Sequence, residues 1–194
     1  MQSYRVLIIF LAIFIVLGLV AYWDEWQTKK DEEKEKRKNI VFTFKPSEVS
    51  RIDYLNKASF YKDEYTKQNI SDVELILEKT DEQTWYVVQP VYTKGDVSVV
   101  DSVLESLSML KYENQVSHTK DEWSKFGVHQ PHRIISLHFK DKPSITYYFG
   151  DKAPVGYSVY LRTSESDNVY ITNQIILTET NKTLKDFRYN NFIN

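Results

Sequence analysis

Four histidines come first, because the chain has no cysteine and imidazole is then the strongest zinc-type ligand left. His129 and His132 flank Gln130 and Pro131. A helical i,i+3 pair could aim two rings at one ion, but Pro131 breaks that geometry. His132 and His138 share a strand face at a separation of about 20 Å by strand rise, too far to hold one ion. No metal and no cofactor is expected. Serines are common, but no G-x-S-x-G elbow surrounds one. The segment GDKAP lacks the spacing of a phosphate loop. The paired acids Asp81–Glu82 and Asp121–Glu122 would suit glycoside hydrolysis only if the fold set carboxylates about 5–9.5 Å apart across a cleft. In such polar surroundings they read as solvated turns. No catalytic residue is nominated.

What remains is a surface. Tyr148, Tyr160 and Tyr170 alternate with Ile, Val and Leu along three successive segments, near Arg162. Paired in register, these strands would turn the three tyrosines away from the aliphatic core. Exposed Tyr and Arg are typical of protein-binding hot spots. Cross-strand aromatic pairing, or a sheet covered on both sides, is the structural alternative.

The elements that must position these residues are strands. Ile135, Leu137 and Phe139 alternate with Ser136 and His138. Ile145, Tyr147 and Phe149 alternate with Thr146 and Tyr148. Tyr157, Val159 and Leu161 alternate with Ser158, Tyr160 and Arg162, and Val169 and Ile171 flank Tyr170. This period of two, with short polar links, predicts an antiparallel meander with one face on a core. Upstream, Ile40–Phe44, Val49–Leu55, Val73–Leu77 and Trp85–Val88 read as strands, and Asn114–His118 as a short one. The clearest helix runs from about Val99 to Tyr112, with Ser98 and Asp101 as an approximate capping box and Val100, Val103, Leu104, Leu107 and Leu110 as its apolar stripe. Lys120–Phe126 predicts one or two helical turns stopped by Gly127. A final amphipathic stretch, 173–187, offers Ile176, Leu177, Leu184 and Phe187.

The start of the chain is different in kind. Val6–Trp23 holds 18 residues without a charge. As a helix it spans roughly 27 Å, close to the hydrocarbon core of a bilayer. Tyr4 at one end and Tyr22, Trp23 and Trp26 at the other suit the two interfaces. An h-region this long, with no A-x-A-like site behind it, argues for an uncleaved anchor over a cleaved signal peptide. Residues 1–5 form a tail, 6–23 the transmembrane helix, 24–39 a charged stalk, 40–188 a soluble domain and 189–194 a C-terminal tail. Arg5 argues for an inside N-terminus. Six basic residues from Lys29 to Lys38 argue the other way, but long domains translocate largely regardless of flanking charge. The expectation is a single-pass protein of the bacterial cytoplasmic membrane with its domain outside. The fold class is α+β: the transmembrane helix, then one domain of mostly antiparallel sheet packed with two or three helices. A net charge of −2 argues against nucleic acid as a partner, which needs a basic stripe. A homo-oligomer is compatible with this reading.

Several motifs fall in a recognisable order: WYVVQP from Trp85, the helix VSVVDSVLESLSML, FGVHQP at Phe126–Pro131, YYFGDKAPVGYSVYLR at Tyr147–Arg162, and Phe187–Arg188. This order resembles a bacterial family of uncharacterised membrane-anchored proteins, a domain of unknown function, encoded beside gliding-motility-type ABC transporters. The resemblance covers about Ile40 to Arg188 and carries no catalytic residues. It implies the cell envelope, a single anchor, and an ABC-type permease or its auxiliary subunit as membrane protein partner. It also implies that Trp85 anchors the core, that Gly127, Gly150 and Gly156 mark turns, and that Arg188 bonds carbonyls near a helix end. The expected function is that of a non-enzymatic accessory or adaptor protein. The alternatives are an envelope glycan-binding or glycan-modifying protein, and a cytoplasmic-facing scaffold.

Overall fold

The computed structural model describes residues 22–23, 26–27, 38–57, 73–80, 83–154 and 156–189. Most of the expected anchor and stalk, the polar stretch 58–72 and the tail from residue 190 lie outside the described residues. Tyr22, Trp23, Trp26 and Gln27 are helical. Among the described residues no helix is long and apolar enough to cross a membrane. The chain divides into two compact units, residues 1–38 and 39–194, and every described strand belongs to the second.

Among the described residues nine strands make one antiparallel sheet: β1 (Val49–Asn56), β2 (Val73–Lys79), β3 (Trp85–Gln89), β4 (Thr93–Lys94), β5 (Tyr112–Ser117), β6 (Arg133–Phe139), β7 (Ile145–Lys152), β8 (Ser158–Thr163) and β9 (Val169–Asn173). Their spatial order is β4-β3-β2-β1-β6-β7-β8-β9-β5. With helices α1 (Val97–Ser108), α2 (Ile175–Glu179) and α3 (Leu184–Phe187) the class is α+β. Ile40 pairs with Lys111 as a single bridge. The strand expected over Ile40–Phe44 is therefore not formed.

Most of the alternating aliphatic residues turn to one side, the inner face. Ile52, Leu77, Trp85, Val87, Ile135, Leu137, Phe149 and Leu161 are buried there, with Val100, Val103, Leu104 and Leu107 of α1 and Ile176, Leu177 and Phe187 from the C-terminal helices. At about 25 cal/mol per Å² of apolar surface, this layer is the main source of stability. Helix α1 starts two residues before its expected beginning. Asp96, not Ser98, is the N-cap: its carboxylate accepts the Ser98 and Val99 amides at 3.0 and 3.4 Å. The helix stops at Ser108 because the following backbone is claimed by strand pairing. The Val41 amide donates to the Leu110 carbonyl and the Tyr112 amide to that of Asn39.

One cation belongs to this inner layer. Arg133 pairs across the sheet with Asn56 and Phe149 and is fully buried. Its Nη1 donates to the Leu177 carbonyl at 2.7 Å and to the Thr180 hydroxyl. Tyr54 donates its hydroxyl to the Thr180 carbonyl. Two strand residues thus bond the last turn of α2, whose carbonyls lack intrahelical partners, and hold it on the sheet. Arg188 joins the fold by its main chain, bridging Gly95, rather than by the expected side-chain bond to a helix carbonyl.

Candidate functional site

The opposite, outer face of the sheet carries the candidate residues. Strand register decides who stands there. Tyr148 lies directly across from Arg162, and Tyr160 stands two positions before Arg162 on β8, so these three share the outer face. Tyr170 does not join them. It pairs with Leu161, a fully buried inner-face residue, and so lies on the inner side, its ring 4.9 Å from that of Tyr112. Val169 pairs with Arg162 and takes the outer position instead. Tyr157 precedes β8 and is 78% exposed, so it is not the core residue that the alternation predicts.

The outer face has an aromatic half and a polar half. Over the aromatic half lies the 3-10 segment Lys120–Phe126, in the position expected for its helical turns. Trp123 and Phe126 point onto the sheet. The Arg162 guanidinium carbon sits 3.9 Å from the Trp123 ring centre and 3.8 Å from that of Tyr148, a doubled cation–π contact. The Phe126 and Tyr160 rings meet at 4.8 Å. Val128 and Val169 are fully buried outside the main core cluster. The segment is fastened by Trp123 Nε1 donating to the Asp167 carbonyl at 3.0 Å and by Ser117 Oγ donating to Glu122 at 2.7 Å. Tyr148, Tyr160 and Arg162 are consequently half-buried, rims of a small second core. Burial pulls the Arg162 pKa down, opposed chiefly by the neighbouring Tyr148.

The segment ends in a close loop-on-loop contact that explains two glycines. Gly127 has φ +69°, and a Cβ there would lie 2.5 Å from Asp151 Cγ. A Cβ on Gly150 would lie 2.2 Å from the Phe126 carbonyl oxygen. At Gly150 a side chain would meet backbone, and at Gly127 the positive φ favours glycine, so the two Phe–Gly pairs lie closely against one another. Beside them is a polar cleft of about 380 Å³ lined by Ser124, Gly127, His129, Gln130, His132 and Asp151. His132 Nε2 is 2.7 Å from Asp151 Oδ1.

The polar half holds an arrangement that no local motif announces. His138 Nε2 lies 3.0 Å from Asp53 Oδ2, and His138 Nδ1 lies 2.9 Å from Ser144 Oγ. Arg51 donates to Asp53 Oδ1 at 2.7 Å and to Glu78 at 2.9 Å. Carboxylate, imidazole and hydroxyl in series can in principle activate a serine. Here the carboxylate is shared with an arginine, and the row lies flat on an open sheet with His138 and Asp53 each about one-third exposed. It is better suited to tie β1, β2, β6 and β7 together. Only the register of β1 on β6 brings positions 53 and 138 together. Among the described residues no group of three His, Asp or Glu side chains is placed to hold a metal ion.

A family model described as a domain of unknown function (DUF4340) matches residues 85–194, from Trp85 at the start of β3 onward. The match leaves out β1 and β2, which the resemblance read from the motifs had included. No curated protein and no solved structure matches the chain.

Proposed function

The chain belongs to the DUF4340 family, and from that premise we propose that it is a non-enzymatic, membrane-anchored accessory or adaptor protein. In this reading Val6–Trp23 crosses the bacterial cytoplasmic membrane once, and the domain lies outside. The domain docks through the outer sheet face onto a membrane protein of the ABC-transporter class, a permease or its auxiliary subunit. The observation that carries the reading is the Trp123–Arg162–Tyr148 stack. Aromatic and arginine side chains held in one rotamer lose little entropy on binding, which is why such residues dominate interfaces.

The test uses Tyr160 and Tyr170, which lie on opposite faces. Full-length protein is purified from native membranes, and recovery of a co-purifying membrane subunit is measured beside thermal stability. Tyr160→Ser should lower recovery and Tyr170→Ser should leave it near wild type. Unchanged recovery in Tyr160→Ser, with lowered stability, contradicts the docking face.

A second reading is favoured by the polar cleft. Ser124, His129, Gln130 and Asp151 present hydroxyl, imidazole, amide and carboxylate groups to one space, a composition suited to envelope glycans. Binding of a cell-wall glycan that is lost in Gln130→Ala, with partner recovery intact, would favour this reading over the adaptor.

A further inference from the structure

Two arginines on the outer face are treated differently. Arg51 is fully served, by Asp53 at 2.7 Å and Glu78 at 2.9 Å. Arg162 is half-buried between two rings, and among the described residues it has no carboxylate within salt-bridge distance. Its Nη1 donates to the adjacent Thr163 carbonyl, at 3.3 Å. Its Nε is buried without a hydrogen-bond partner. The carboxylate whose charge it feels, Asp167, is paired with Lys120 at 3.6 Å. A cation withdrawn from water without a counter-ion is costly. Tyr148 serves Arg162 both as a ring neighbour and as a side-chain hydrogen-bond partner. The buried Nε is closed to solvent, so the fork that Arg162 offers outward to a carboxylate is its Nη end.

We infer that Arg162 is the receptor for a single carboxylate, an aspartate or glutamate side chain of the docking partner. This rests on the adaptor reading and names the chemistry of its partner. Trp123 and Tyr148 hold the guanidinium at 3.9 and 3.8 Å from their ring centres, so the carboxylate must approach its Nη end from the solvent side. The aromatic surroundings lower the local dielectric and strengthen the pair relative to one in open water. Recognition is therefore directional, and replacing Arg162 by lysine removes the planar fork while keeping the charge.

The test needs no partner. Full-length protein labelled with 15N-arginine is titrated with capped aspartate (acetyl and methylamide ends), capped asparagine, inorganic phosphate and sodium chloride. The Arg162 Nε–H resonance is assigned by its loss in Arg162→Lys, with thermal unfolding showing that this variant folds. The expected result is a saturable shift with capped aspartate in the millimolar range, about tenfold stronger than with capped asparagine. An unmoved resonance overturns the proposal, as does an equal response to both capped residues or to sodium chloride at matched ionic strength. Phosphate binding about tenfold tighter than aspartate also overturns it, by assigning the place to a phosphate. Failure here leaves the adaptor reading to be judged separately, by crosslinking in native membranes.

Discussion

Gly150 and Phe126 approach so closely that a methyl group on Gly150 would lie 2.2 Å from the Phe126 carbonyl oxygen and 2.8 Å from Val128 Cγ1. This contact sets the height of the 3-10 segment above the sheet, and with it the position of Trp123 over Arg162. Backbone cannot yield as a side chain does. Gly150→Ala should therefore destabilise by about 3 kcal/mol or more. At Gly127 the obstacle is the Asp151 carboxylate, which can swing aside, so Gly127→Ala should cost less, about 1–2 kcal/mol, mainly from its positive φ. Urea unfolding of both variants checks the order. A Gly150→Ala protein as stable as wild type would remove this account of the segment.

The inner layer makes two opposite predictions. Arg133→Leu deprives the Leu177 carbonyl and the Thr180 hydroxyl of their donor and should cost about 2–4 kcal/mol. Tyr147 is fully buried, and its hydroxyl has no partner among the described residues. Burial alone pushes its pKa far above the ordinary value, so it stays neutral. Tyr147→Phe removes an unsatisfied polar atom and should be neutral or stabilising by about 1 kcal/mol. A loss of stability as large as that of Arg133→Leu would mean that the hydroxyl has a partner.

The α1 cap carries a pH dependence. The Ser98 hydroxyl, followed by the Val99 and Ser98 amides, holds the Asp96 carboxyl below its ordinary pKa. A depressed carboxylate pKa gives stability that is fully present above the unfolded value and lost as pH falls through the folded one. Asp96→Ala should cost about 1 kcal/mol near neutral pH. That cost should shrink as the pH drops below about 4, where the wild type also loses its cap. Thermal melts of both proteins at several pH values measure it; a constant difference across the acid range would contradict the assignment.

Membrane orientation can be read directly. Alkaline phosphatase fused after Asn194 should be active if the domain lies outside the cytoplasm. A well-expressed but inactive fusion would place the domain on the cytoplasmic side and favour the scaffold alternative.

The legibility of each strand in the sequence depends on how unequal its two faces are. In β6, Ile135, Leu137 and Phe139 face a deep core while Ser136 and His138 face a polar surface, so alternation assigns both faces. In β9 the outer face is itself apolar, because Val169 lies beneath the cover that Trp123 and Phe126 build. Val169, Tyr170 and Ile171 therefore carry no decisive pattern, and Tyr170 lands on the side opposite its expected one. The Lys120–Phe126 turn and its stop at Gly127 are readable locally. That Trp123 reaches Arg162, or that Asp53, His138 and Ser144 meet, depends on register between strands far apart in sequence. Asp96 is hidden as a cap because Ser98 and Asp101 imitate a capping box two residues later.

The central proposal is that the Trp123–Arg162–Tyr148 face is where this protein, anchored as proposed, meets its partner. The most direct measurement is photocrosslinking in native membranes, with a photoreactive phenylalanine in place of Tyr160 and, as control, in place of exposed Val91. The account predicts a discrete adduct with a membrane protein from position 160 and none from position 91. No adduct from position 160, or the same adducts from both, would contradict it.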